Sequence, residues 1–119
     1  MINNVNFNIG DILVGENNLP IDGNHYIVFY EALDQLDFAG AMISTKAFFG
    51  KNIAMSAAHF ETHNNEDQTI WRVYYYNSHL VPAKLHKFND MGPFQKVGQL
   101  TNDGVEFLIQ NIGDKILMP

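Results

Sequence analysis

The stretch Asn77-Ser78-His79-Leu80-Val81-Pro82-Ala83-Lys84-Leu85-His86-Lys87-Phe88, followed by Lys96-Val97-Gly98-Gln99-Leu100-Thr101-Asn102-Asp103-Gly104-Val105, decides how the rest of the chain is read. It predicts a strand, a short irregular link and then a capped helix. Thr101 is a good N-cap, and Asn102 and Asp103 sit in the first turn, where a carboxylate favours the positive end of the helix dipole. Val105, Leu108, Ile109 and Ile112 fall at i, i+3, i+4 and i+7 and form one apolar face. Gly113 is expected to stop the helix as a left-handed residue. One helix of this length is not stable alone, so it must lie across the open end or side of a sheet. Ser78 to Leu85 predicts the strand that leads into it, with Pro82 at an edge or a bulge.

Working outward, strand signals dominate. Asp11-Ile12-Leu13-Val14 predicts a first short strand. Asp22-Gly23 favours a tight reversal, and His25 to Glu31 is rich in β-branched and aromatic residues, which suits a second strand. Phe38 to Thr45 predicts a third. Gly40 inside it points to a bulge or a close backbone approach. Asn52 to Met55 predicts a short strand, Glu61 to Gln68 a polar loop, and Thr69 to Tyr76 a strong strand. At 119 residues the chain is one domain. The expected fold is mainly β: a small SH3-like barrel closed by a C-terminal α-helix.

Composition narrows the function classes. With no cysteine, a disulfide scaffold and a cysteine nucleophile are both excluded. No apolar run approaches the roughly 18 residues of a membrane span. The first residues lack the basic patch and apolar core of a signal peptide, so the expectation is a cytoplasmic protein without membrane association. Net charge is −6, with six lysines and the single arginine Arg72. A nucleic-acid partner would therefore need a local basic face rather than an overall one.

The candidate site residues are those able to move a proton or hold a phosphate. Histidine titrates near neutrality, at about pH 6.5, so His25 and His59 are candidate acid and base groups. Hydroxyls and a guanidinium hold phosphate oxygens, which singles out Ser44, Thr45, Ser78 and Arg72. His25 opens a strand and so falls at a rim. Ser44-Thr45 ends one, and Asn77-Ser78-His79 sits where one strand turns into the next. Each also has a plain structural explanation: a turn-exit histidine, terminal hydroxyls that satisfy local backbone groups, and a packed histidine beside Phe60. His59 and His63 would suit a metal only on a helix, and Glu61 to Asn65 is a poor helix. No metal and no cofactor are expected. In a strand, Tyr74-Tyr75-Tyr76 would alternate faces, leaving at least one ring free to stack on a base.

The order of these parts resembles the MazF/PemK-type toxins. Gly10-Asp11-Ile12-Leu13 looks like that family's opening strand, His25 to Tyr30 its second, and Phe38 to Thr45 its third. Leu80 to Leu108 looks like the closing strand, the Val-Gly-Gln-Leu link and the C-terminal helix. The resemblance implies a metal-independent endoribonuclease that cuts single-stranded RNA through the ribose 2′-hydroxyl. It implies His25 and His59 as the proton-transfer pair, Thr45 and Ser44 on the scissile phosphate, and Arg72 as a charge clamp. It also implies a homodimer neutralised by an antitoxin protein. Where the family's second strand usually opens with arginine and proline, this chain has His25-Tyr26. The alternative reading is a non-catalytic SH3-like barrel that binds a protein or peptide partner, with exposed aromatics such as Tyr26, Tyr30 and Trp71 lining a groove.

Overall fold

The computed structural model describes residues 7–15, 26–34, 37–87 and 94–118. His25 lies outside them. The strands are β1 (Asp11–Gly15), β2 (Tyr26–Ala32), β3 (Phe38–Ser44), β4 (Ile53–Ala54), β5 (His79–Leu80), β6 (Lys84–Lys87), β7 (Phe94–Gln99) and β8 (Leu117–Met118). One helix, α1 (Asn102–Ile112), and a 3-10 turn at Ala57–His59 complete the described elements. The protein is mainly β.

The strands form one sheet in the order β4-β5-β3-β2-β1-β7. All these pairs are antiparallel, whereas β6, which also pairs with β3, joins β8 in parallel. Among the described residues the ladders do not close: β4 and β7 remain the two ends of the order.

β1 lies between β2 and the end strand β7, and all five of its residues are buried. Side chains alternate across its pleat. Ile12 and Val14 join Val28, Ala41, Ile43, Leu80 and Val97 on one face, which α1 covers with Leu108 and Ile112. Leu13 joins Ile27, Phe29, Phe38 and Phe94 on the other. There the rings of Phe29 and Phe38 stack at 5.1 Å, and Phe94 meets Phe38 edge-on at 4.9 Å. Leu108 and Ile112 are fully buried, and each contributes about 1.5–3 kcal/mol by leaving water.

Two irregularities shape the sheet. Phe29 pairs with Gly40 and Glu31 with Ala39, so Tyr30 is an extra residue on β2. Gly40 is the close approach that its place in the strand suggests: a Cβ there would stand 2.6 Å from the Val28 carbonyl oxygen. Ile12 pairs with Gly98 and Leu13 with Lys96, so Val97 is the extra residue on β7.

The predicted strand Ser78 to Leu85 is two short strands on β3. Pro82 breaks it: the Val81 N–H donates to Met42 O (3.0 Å), and the Ala83 N–H turns back to Val81 O (2.8 Å). The predicted helix forms, with Thr101 Oγ1 accepting from the Gly104 N–H at 3.1 Å. Its buried face is Gly104, Leu108 and Ile112, while Ile109 is exposed. Gly113 is not left-handed (φ −56°). The helix end is instead satisfied from outside, as Lys84 Nζ donates to the Gly113 carbonyl at 3.1 Å.

Thr69 to Tyr76 is the main correction: it is not a strand. Its alternation is real, with Trp71, Val73 and Tyr75 half-buried and Ile70, Arg72, Tyr74 and Tyr76 exposed. Its backbone, however, is tied to separate partners rather than to one ladder. Trp71 N–H donates to Thr62 O (2.9 Å) and Val73 N–H to Val97 O (2.9 Å). The left-handed residues Gln68 (φ 62°) and Asn77 (φ 49°) bound the segment.

Candidate functional site

β2 begins and β3 ends at the same edge of the sheet, because Tyr26 pairs with Ile43. β5 starts there too, since Ser44 pairs with His79. The irregular segment Arg72–Tyr76 passes this edge and leaves a cleft of about 520 Å³. Tyr26, Ile43, Ser44, Thr45 and Lys46 line one side, and Arg72, Val73, Tyr74, Tyr76 and Ser78 the other.

Local bonding holds these side chains in place. Val73 is pinned to β7, and Gly98 is what lets it approach: a Cβ on Gly98 would stand 2.6 Å from the Val73 carbonyl oxygen. Beside it, Trp71 lies under Lys96, whose Nζ is 5.2 Å from the ring centroid. At the other end of the segment, the Asn77 side-chain amide donates to Thr45 O at 3.2 Å. That bond ties the two walls of the cleft together.

The polar groups are arranged to donate. Ser44 Oγ accepts the Lys46 N–H at 3.0 Å, and Ser78 Oγ accepts the Tyr76 N–H at 3.1 Å. With an acceptor site on each oxygen filled, each hydroxyl proton remains available to a ligand. Ser78 is only 5% exposed, so its hydroxyl also closes the turn. Lys46 and Arg72 are exposed and make no ion pair among the described residues. No carboxylate and no histidine is among the described residues that line the cleft. In a chain of net charge −6, this is a locally cationic groove walled by tyrosine rings.

Four of the six candidate residues, Ser44, Thr45, Arg72 and Ser78, therefore meet in one place. His25 lies outside the described residues and immediately precedes the cleft residue Tyr26 in the chain. His59 stands elsewhere. Its Nδ1 accepts the Ser56 N–H at 3.1 Å, and its ring lies 4.5 Å from that of Phe107 on α1. It is the packed histidine weighed from sequence, with Phe107 rather than Phe60 as its partner. Lys46 was not singled out by sequence, although it directly follows Ser44-Thr45 where β3 leaves the sheet. Both Tyr74 and Tyr76 point outward with Arg72, the spacing of 2 that an extended segment gives.

Among the described residues, no three histidine or acidic side chains cluster to hold a metal ion. No helix among them is long and apolar enough to cross a membrane. No protein-family model, curated protein or solved structure matches the chain.

Proposed function

We propose that the protein binds single-stranded RNA in this cleft, and that it is a MazF/PemK-like, SH3-like-barrel endoribonuclease that cuts the strand it holds. The observation that carries the reading is the meeting of Lys46 and Arg72, which make no ion pair among the described residues, with three tyrosines and three hydroxyls in a cleft that no described carboxylate lines. A guanidinium grips phosphate oxygens in a bidentate fork, an ammonium adds a point charge, and hydroxyls donate to the remaining oxygens. Unpaired bases offer faces to Tyr26, Tyr74 and Tyr76, whereas a duplex hides them.

Cleavage follows from the family resemblance. A base takes the ribose 2′-hydroxyl proton, O2′ attacks the phosphorus, and the 5′ oxygen leaves with a proton. The products are a 2′,3′-cyclic phosphate and a 5′-hydroxyl. Arg72 and the Ser44 and Thr45 hydroxyls stabilise the charge that builds on the phosphoryl oxygens. With His59 held against Phe107, His25 is the base that takes the 2′-hydroxyl proton, and water supplies the proton to the leaving 5′ oxygen.

The test is purified protein incubated with single-stranded RNA, the ends analysed for cyclic phosphate. Wild type should cut, His25→Ala should bind without cutting, and Arg72→Ala should bind more weakly and cut more slowly. Intact RNA that stays bound to folded wild-type protein would remove the nuclease step and leave the binding. A second reading, a non-catalytic barrel that binds a peptide, draws on the same tyrosines. It predicts no RNA binding and no effect of Arg72→Ala on folding.

A further inference from the structure

The loop after the cleft residue Lys46 displays two phenylalanines in a backbone conformation that phenylalanine rarely adopts. Phe48 (φ 51°) and Phe49 (φ 56°) are both left-handed, as is Gly50 (φ 79°). The Lys51 N–H closes a tight turn on Phe48 O at 3.1 Å, and Asn52 closes the loop base on Ala47 O at 3.0 Å. Phe49-Gly50 thus occupies the two central turn positions with positive φ, where asparagine or aspartate normally precedes the glycine. A bulky residue in that region is strained. The strain is not offset by burial, since Phe49 is 97% exposed and Phe48 56%. Strain of this kind, held in a place that stability does not explain, points to use.

The surroundings of the tip say what it meets. Lys46 and Lys51 flank it, and Lys51 Nζ sits 5.4 Å from the Phe48 ring centroid. The Asn52 side-chain amide donates to Lys46 O at 2.9 Å, so the loop base is fixed to the cleft wall. Phe49 lies three positions after Lys46, so their Cα atoms are at most about 11 Å apart. That is at most about three stacked nucleotides at roughly 3.4 Å each.

We propose that Phe48 and Phe49 are a base-stacking platform that extends the RNA cleft by two to three nucleotides beyond the phosphates held at Lys46 and Arg72. The proposal rests on the RNA-binding reading above. It makes the ligand an unpaired strand long enough to reach from the cleft to the tip, anchored by charge at one end and by ring faces at the other. Sequence enters only through stacking, because every base has a π-face.

The experiment compares wild type, Phe48→Ala/Phe49→Ala and Arg72→Ala by fluorescence anisotropy. The probes, 2′-O-methylated so that they cannot be cut, are a labelled oligouridylate of about three nucleotides, one of about eight, and an abasic strand of the longer length, spanning the usual reach of single-strand sites. Both phenylalanines are exposed, so circular dichroism of the double variant should match wild type. The expected result is a loss of roughly tenfold or more for the double variant on the longer strand. It should lose nothing on the short strand or the abasic one, while Arg72→Ala weakens all three. Wild-type affinity of the double variant for the longer strand would overturn the platform and leave the cleft reading standing. Failure of wild type to bind any probe would overturn both. Sedimentation of wild type with anionic phospholipid vesicles, lost in the double variant while RNA affinity is unchanged, would make the tip a membrane contact and overturn the proposal.

Discussion

Lys96 Nζ stands 3.0 Å from Asp11 Oδ1, and the carboxylate it meets is buried, with the Asp11 residue only 3% exposed. The same carboxylate accepts the Asn8 N–H at 2.9 Å. Lys96 also donates to Gln99 Oε1 at 3.0 Å and lies over Trp71. One ammonium thus joins β1, β7 and the segment that carries Arg72. Removing one partner of such a pair leaves a charge without compensation in a poorly solvated place. Lys96→Met should cost about 2–3 kcal/mol, below the range for a fully buried pair because Lys96 is partly solvated. Urea denaturation measures it. The variant should also bind RNA more weakly through a looser Trp71, and an unchanged midpoint would contradict this role.

Gly98→Ala tests how Arg72 is positioned. The new methyl group would press on the Val73 carbonyl at 2.6 Å, a backbone contact that yields only if the segment lifts off β7. Stability should fall by roughly 1–3 kcal/mol, the usual cost of overpacking. RNA affinity should fall with it, although no ligand-facing side chain has changed. Wild-type affinity in this variant would mean that the cleft does not depend on the approach of Val73 to β7.

Lys87 gives a pH dependence with a definite sign. Burial lowers its pKa from 10.5, because the folded state disfavours the charged form. At pH values below the depressed folded value the group opposes folding. As the pH rises from that value toward 10.5, the unfolded chain binds more protons than the folded one, so this contribution to stability improves. Lys87→Met should therefore raise Tm at neutral pH, and the gain should shrink as the pH approaches 10.5. Thermal melts at neutral and alkaline pH measure it, and a gain independent of pH would assign the effect to packing alone.

Phe49→Asn separates stability from binding at the loop tip. Asparagine tolerates left-handed backbone, and Asn-Gly suits the turn. The variant should be more stable by about 1 kcal/mol, the lower end of the left-handed penalty for other residues, while its affinity for single-stranded RNA falls. Lower stability would show that Phe49 makes packing contacts that its exposure conceals.

Much of this was legible in the sequence, for local reasons. Thr101 caps the helix through its own side chain, and Pro82 interrupts a ladder because it has no N–H. β1 to β3 are short runs rich in apolar residues, and their burial on both faces of the sheet agrees with that composition. What was not legible depends on distant partners. Thr69 to Tyr76 carries the composition and the alternation of a strand, but its N–H groups find Thr62, Val97 and Ser78, which no local pattern reports. Gly113 looks like a left-handed stop, yet Lys84 reaches its carbonyl from 29 positions away. Chemistry alone marks the hydroxyls and Arg72, and the fold gathers them. It marks His59 equally, but α1 packs Phe107 onto its ring. Lys46 and the Phe48-Phe49 tip are not legible, because exposure and positive φ leave little trace in residue type.

The most direct measurement is the affinity of the whole protein for a single-stranded RNA as salt is varied upward from about 50 mM, a range over which phosphate contacts weaken. Two cations on two phosphates predict a slope of log K against log salt near −1.4, at about −0.7 per contact. Arg72→Ala and Lys46→Ala should each bind more weakly and reduce the slope by roughly 0.7. Binding of RNA with no salt dependence, or variants indistinguishable from wild type, would contradict the account, as would no binding at all.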